Sequence, residues 1–558
     1  MSNQNASSSM SLGIVNGPEA MVLDRAVSYP LPESSNGNDS RGSSFWHDRL
    51  VEGGLIFSMA LYYIVGNINI HPGLLPYLNP LATLPFLLVF AVLAWYRLPF
   101  AVALLPLSLP FYLLQKTVIG HEKFSLVEVT LATCLAIALL QFLLKRRNWQ
   151  SKVSWSELRD RLGPFLYPLI IFFLAAAFSI VVAYSRVTAL RAFHEEVLGP
   201  LLYLILILVV LRSRQDVTRL LGALIGAGLL ITILGLVQYF FFWQTILPEV
   251  DGVRRIAAVY GSANSIGLLF DYVFPIGLAL LLGKVSWKIR LVMLALSIPM
   301  LFVLYLSQSY GARIGIAIAT LFILAFSIRR RHFFIGRKVL ALGGIVVVVV
   351  SSLVLIAFHT QVYSFFLEGH TSLQGQSTIA KRFYLWESAL HMIHDRPVFG
   401  YGMDNWLCYY SKNTICPTHV QHYWITNDPP VTGPATGLKD EPNLSHPHNI
   451  FLHIWVSMGV FGVLAFVVVL VLFYWLFGRI LSHLRLTEVN GSNHLRWMTI
   501  GVGAAMLAAL VQGQGDSAFL EQDLAFCFWT LVAALLVLRM LSGLSWKDVF
   551  SKRYGTSA

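Results

Sequence analysis

The chain is poor in charge. Asp, Glu, Lys and Arg make up 12% of its 558 residues, about half the share of a soluble domain, so most of its surface cannot face water. Cysteine is scarcer still: the four residues present are too few for a disulfide framework. Cys134 and Cys527 sit in apolar runs as packing residues, whereas Cys408 and Cys416 share a polar stretch and stand either as a bridge or as two thiols. The chain also lacks a Walker loop, a Rossmann glycine fingerprint and an HExxH zinc motif, which removes several nucleotide and metalloprotease chemistries. It has no Asp-x-Asp pair to hold the Mg²⁺ used by many sugar-nucleotide transferases.

Hydrophobic residues supply 56% of the chain, in runs able to cross about 30 Å of hydrocarbon at roughly 20 residues each. Spans are expected near 53–70, 78–95, 98–115, 124–144, 164–184, 195–211, 217–242, 264–283, 289–307, 314–328, 339–358, 449–477, 497–512 and 522–540. Pro106 and Pro110 interrupt the third, and the tenth is short. The expected fold is an all-α integral membrane protein of about 12–14 transmembrane helices, with one large extracytoplasmic loop containing an amphipathic helix.

The net charge of +12 suggests nucleic acid until its distribution is considered. With the N-terminus inside, 28 of the 40 Lys and Arg fall in cytoplasmic segments, including Lys145-Arg146-Arg147, Arg329-Arg330-Arg331 and Lys552-Arg553. That asymmetry is the positive-inside signal. The basic excess therefore orients the chain and contacts anionic lipid; no nucleic-acid partner is expected. Both termini are expected in the cytoplasm.

The resulting organisation has six parts. Residues 1–50 form a cytoplasmic tail, whose first 45 are rich in Ser, Asn and Gly and expected to be disordered. Residues 51–163 hold N-terminal spans and a basic cytoplasmic loop, and 164–358 the core spans. The large outer loop is 359–448; C-terminal spans follow in 449–541 and a cytoplasmic tail in 542–558. No cleavable signal peptide is expected, because no apolar stretch follows the start. Within the outer loop, Ile379, Phe383, Trp386, Leu390 and Ile393 recur at helical spacing, predicting an amphipathic helix from Gln376 to His394 with Arg382 on the same face. Asp395-Arg396-Pro397 ends it, and Phe399-Gly400-Tyr401-Gly402 reads as a tight turn.

Three clusters could carry chemistry. His446-Pro447-His448-Asn449 lies where the loop re-enters the membrane. Proline holds the residue before it extended, so the two histidines are expected to point apart. His448, ahead of a helix N-terminus, suits a general base, with Asn449 and His453 able to orient it. Arg313, after Gly311, has the guanidinium fork that binds phosphate. At a third junction Arg186 and Arg191 precede His194-Glu195-Glu196, with an Arg191–Glu195 ion pair as the plain alternative. Arg254 and Arg255 read as solvated.

Taken in order, these motifs resemble the O-antigen ligase and polymerase superfamily of bacterial membrane glycan transferases. The resemblance runs over roughly 165–480. It rests on Ser445-His446-Pro447-His448-Asn449 with Gly459-Val460-Phe461-Gly462, on Arg382-Phe383-Tyr384-Leu385-Trp386-Glu387 leading to Pro397-Val398-Phe399-Gly400-Tyr401-Gly402, on Gly311-Ala312-Arg313, and on Gly261-Ser262-Ala263-Asn264. It implies metal-independent, inverting transfer of a glycan from undecaprenyl diphosphate to a sugar hydroxyl on the outer face of the plasma membrane, without a cofactor. The partners implied are that lipid-linked donor, a glycan or glycolipid acceptor, and membrane lipid. By position it implies His448 as base, with Arg313 and Arg191 on the diphosphate. Arg382, His446, Asn449 and Arg186 are the implied substrate-binding residues. Polymerisation of lipid-linked repeats is the alternative within the class; a flippase or transporter is the alternative outside it.

Overall fold

The computed structural model describes residues 40–67, 78–113, 116–119, 122–144, 155–248, 254–283, 286–327, 378–410, 423, 446–486 and 492–550. The chain divides into two units, residues 1–50 and 51–558. In the first, the described residues open helix α1 (Ser40–Asn67), so helix begins inside the stretch expected to be disordered.

The second unit is an all-α membrane bundle. After α1 come α2 (Leu78–Tyr96), α3 (Leu98–Leu104), α4 (Leu126–Leu143), α5 (Trp155–Leu162), α6 (Leu166–Val182), α7 (Arg186–Ala192), α8 (Gly199–Val210) and α9 (Arg214–Phe241). Next are α10 (Ala263–Leu282), α11 (Trp287–Ser307), α12 (Tyr310–Ser327), α13 (Thr378–Asp395) and α14 (Trp406–Tyr410). The series ends with α15 (Ile450–Leu486), α16 (Ser492–Gln512), α17 (Gln522–Leu541) and α18 (Trp546–Phe550). Two short antiparallel ladders, Lys116–Ile119 with Glu122–Phe124 and Leu247–Pro248 with Arg254–Arg255, close turns at helix ends. Among the described residues, ten helices are long and apolar enough to cross a membrane, and three shorter apolar ones accompany them. Every expected span falls on one of these except 339–358, which lies outside the described residues.

Local chemistry explains the boundaries. Ser125 and Glu128 form a capping box at the start of α4, and Ser213 with Asp216 does the same for α9, satisfying donors a helix start leaves open. Pro106 and Pro110 turn the end of the third span into a 3₁₀ segment, Leu105–Phe111, because each removes a backbone donor. At the centre lies α17, whose residues Gln522 to Arg539 are all buried, as expected of a helix apolar on every side. On α10, Asp271 is fully buried, and neither carboxyl oxygen has a hydrogen-bond partner among the described residues. It fits against Gly315, where a β-carbon would come within 3.0 Å of Oδ1.

One irregularity positions the site. Inside α15, Gly459 adopts φ 73°, breaking the helix. The segment after α13 fills the break: Tyr401 N–H donates to Val456 O (2.7 Å), Gly402 N–H to Ser457 O (3.1 Å), and Val460 N–H to Pro397 O (3.0 Å). The Phe399–Gly402 motif is therefore an inserted strap that re-pairs freed backbone groups. A β-carbon at Gly459 would lie 1.9 Å from Val398 O, so only glycine permits the contact. The strap holds α13 against α15. The buried side of α13 carries Leu385, Ser388, Ala389, Met392 and Ile393, whereas Leu390 is 56% exposed. The stripe is thus rotated from the expected one, because α13 packs on a kinked helix and not on a flat surface.

Candidate active site

The His446–Asn449 turn opens α15 at the strap end of the bundle. Asn449 is its cap, its Oδ1 accepting from Phe451 N–H (3.0 Å) and Leu452 N–H (3.1 Å). Nδ2 of Asn449 donates to Gln514 O (3.2 Å). His448 has φ 51°, a left-handed conformation that a non-glycine residue adopts at a cost of about 1–2 kcal/mol. This folds its ring back toward His446: the centroids are 4.3 Å apart, and His448 N–H donates to His446 Nδ1 at 3.2 Å. The histidines do not point apart. Pro447 does keep His446 from helix, but the positive φ of His448 reverses the alternation expected of an extended pair.

The group that orients His448 is Asp516. Nδ1 of His448 and Oδ1 of Asp516 are 2.7 Å apart, with both side chains largely buried. A carboxylate only accepts, so Nδ1 carries the hydrogen and the lone pair of the neutral ring is on Nε2. Nε2 makes no hydrogen bond among the described residues. His453, expected to help, instead pairs its Nδ1 with Ser517 Oγ at 2.8 Å.

Asp516 belongs to the loop between α16 and α17, which is tied down at many points. Ile450 N–H donates to Gly513 O (2.7 Å) and Tyr272 O–H to Ala518 O (2.6 Å). Tyr112 O–H reaches Glu521 at 3.4 Å, and Tyr260 O–H reaches Asp523 at 3.1 Å. Burial alone would raise Asp516, but the hydrogen bond and charge of His448 hold it well below the ordinary carboxylate range. Burial and the neighbouring His448 and His453 press His446 well below the ordinary imidazole value. His446, His448 and Asp516 each offer an atom within 4.8 Å of the others, a spacing that also suits a transition-metal ion.

The arginines fall into two groups. Arg382 on α13 is close enough for its charge to act on His446 and Asp516, and Trp386 one turn on donates to His448 O at 3.4 Å. Arg313 and Arg255 converge on the C-terminus of α11. Arg313 donates to Tyr305 O (2.9 Å) and Gln308 Oε1 (3.0 Å), and Arg255 to Ser307 O (2.7 Å) and Asn264 Oδ1 (2.5 Å). Arg255 is therefore held in place, not solvated as its sequence setting suggested. Gly311, one turn before Gly315 on α12, leaves room for Gln512, whose Cγ would be 3.1 Å from a β-carbon there. Through α16 the arginine junction thus abuts the loop bearing Asp516.

Arg191 pairs with Glu195 at 2.9 Å, the plain alternative noted above. Its side chain is 61% exposed, so the pair contributes at most about 1 kcal/mol and leaves Arg191 open to exchange partners. His194 contacts Glu128 at 3.1 Å, and Arg186 is exposed at the first position of α7. Cys408 is disulfide-bonded and Cys134 and Cys527 are free; Cys416 lies outside the described residues. Asp516 and Arg255 escaped the sequence reading. An available signal for Asp516 was a short polar loop between two apolar runs, holding Asp516 and Glu521 with no basic residue.

Residues 295–467 match the family model described as O-Antigen ligase, a stretch that includes Arg313, Arg382, His446 and His448 and stops short of Asp516. No curated protein matches the chain. The matched family supports a membrane glycan ligase- or polymerase-like role. The chain is thus similar to that family over residues 295–467.

Proposed function

We propose that the protein moves a glycan from undecaprenyl diphosphate to a sugar hydroxyl at the outer face of the plasma membrane, with inversion and without a metal. The observation that carries this reading is the His448–Asp516 hydrogen bond, which leaves the Nε2 lone pair of His448 without a partner among the described residues, with Arg382 close to the pair. His448 Nε2 takes the acceptor's hydroxyl proton as that oxygen bonds to the anomeric carbon. The bond from that carbon to the phosphate oxygen breaks, and undecaprenyl diphosphate leaves with the electron pair. Arg313 and Arg255, with Arg191 and Arg382, stabilise the charge developing on the diphosphate. His446, Asn449 and Arg186 border the substrate.

Two measurements test the assignment. Arg313→Lys should impair transfer of a lipid-linked glycan in isolated membranes, since one ammonium cannot reproduce the fork; full activity would remove Arg313 from the diphosphate site. Glycan lengths in a deletion strain separate ligase from polymerase: long chains stranded on the carrier mean ligase, and single repeats mean polymerase. Buried Asp271 is what a transport reading draws on. That reading requires movement of the carrier-linked glycan across reconstituted vesicles, abolished by Asp271→Asn.

A further inference from the structure

Three helices meet around a carboxyl that the transfer chemistry does not use. Helices α10, α12 and α16 pack on one another, and small residues let their backbones approach closely. A β-carbon at Gly267 of α10 would come within 2.7 Å of Ala312 Cβ on α12, and one at Gly501 of α16 within 3.0 Å of Ile276 Cα on α10. Asp271, near the middle of α10, is completely buried at this junction. A carboxylate inside a membrane span is costly unless something compensates its charge.

These helices bring no cation to it. α10 has no Lys or Arg. Arg313, the basic residue of α12, turns to Tyr305 O and Gln308 Oε1 at the outer junction. Arg496 of α16 donates to Phe326 O and stands about 18 Å along the helix from Ala508.

What surrounds Asp271 instead is oxygen. The β-carbon position of Gly315 on α12 lies 2.8 Å from Ala508 O, 3.0 Å from Asp271 Oδ1 and 3.2 Å from Asp271 Oδ2. Oxygens from α10 and α16 thus converge on the space that a glycine leaves on α12. Neither carboxyl oxygen has a hydrogen-bond partner among the described residues. Pro275, four residues on, has no N–H to donate to Asp271 O, and a carbonyl such as Ala508 O has a second lone pair beyond any helical bond. One turn along the same groove Gln512 packs on Gly311, its Cγ 3.1 Å from the β-carbon position there. The buried Oε1 of Gln512 also has no partner among the described residues. A proton on Asp271 would serve one of these acceptors, and a water two while leaving the charge. A hard cation serves the oxygens and the charge together.

We propose that Asp271, with Ala508 O, binds a sodium ion at the junction of α10, α12 and α16. One carboxylate matches one positive charge, and a space the size of a missing methyl group suits a small cation over potassium. Backbone carbonyls hold sodium in the same way inside other membrane bundles. The ion takes no part in bond making. It ties the helix carrying Arg313 to the helix that runs into the Asp516 loop.

The test uses the full chain in lipid nanodiscs at constant ionic strength, with choline as the replacement cation. Radioactive sodium should bind saturably, one ion per chain, and unlabelled Na⁺ should displace it at a concentration at least about tenfold lower than K⁺ requires. Asp271→Asn, nearly isosteric, should abolish this binding, together with the rise in unfolding temperature that Na⁺ gives the wild type. Should that variant fail to fold, the wild type still decides the matter. Dicyclohexylcarbodiimide adds to buried protonated carboxyls, and mass spectrometry of the Asp271 peptide should show labelling in choline that saturating Na⁺ suppresses by about tenfold or more and K⁺ does not. Absence of saturable binding, K⁺ competing as well as Na⁺, or unchanged binding in folded Asp271→Asn would each overturn the proposal. Labelling indifferent to the cation would also overturn it, by making Asp271 a neutral acid.

Discussion

Nδ1 of His448 lies 2.7 Å from Oδ1 of Asp516, a residue 68 positions further along the chain. The contact fixes the ring tautomer and joins two elements that sequence order keeps far apart. In the proposed transfer the work divides along it: Asp516 orients, and His448 reacts.

Asp516→Asn should therefore lower turnover by about 10²–10⁴-fold, the range of a general base and its orienting carboxylate. Asparagine can donate to Nδ1 and hold the wrong tautomer, so KM should change little. Steady-state transfer assays with a lipid-linked donor measure both constants. An active Asp516→Asn enzyme would show that the pair is structural.

The pressed-down titration of His446 gives a pH prediction. Unfolded, an imidazole takes up a proton below about 6.5; folded, His446 does not until the pH is much lower. The unfolded state then binds more protons, so stability falls as the pH drops from about 7 toward 5. His446→Gln should flatten this part of the pH dependence of thermal unfolding. An unchanged slope in the variant would assign the acid sensitivity to other groups.

Gly459→Ala should destabilise the protein by several kcal/mol, of the order reserved for strained backbone and core overpacking. It places a β-carbon 1.9 Å from Val398 O and expels the strap that holds α13. Loss of thermal stability should come with loss of transfer; a variant with wild-type unfolding would show that the strap can be released freely.

Chelation addresses the spacing of His446, His448 and Asp516. With His448 as a base held by Asp516, transfer should withstand EDTA and dialysis unchanged. Activity lost on chelation and restored by added Zn²⁺ would make the three residues a metal centre.

The helices were legible because hydrophobic runs and proline breaks report directly on local structure. Pro106 and Pro110 marked the 3₁₀ ending of the third span for the reason the structure shows. The helix α13 was legible from its spacing, Gln376 to His394 expected against Thr378–Asp395 among the described residues, but its buried stripe was not, since that depends on the kink at Gly459. The site was half legible. His448, Arg313 and Arg382 stand in local motifs, whereas Asp516 and Arg255 become significant only through partners brought from elsewhere in the bundle. The fold-back of His448 rests on a positive φ at a residue type that rarely adopts one, which no spacing pattern encodes.

The proposed transfer depends most on His448 accepting the acceptor's proton. Reconstituted His448→Ala, normally inserted and folded, should transfer lipid-linked glycan about 10²–10⁴-fold more slowly than wild type while still binding the donor. Turnover at the wild-type rate would contradict it.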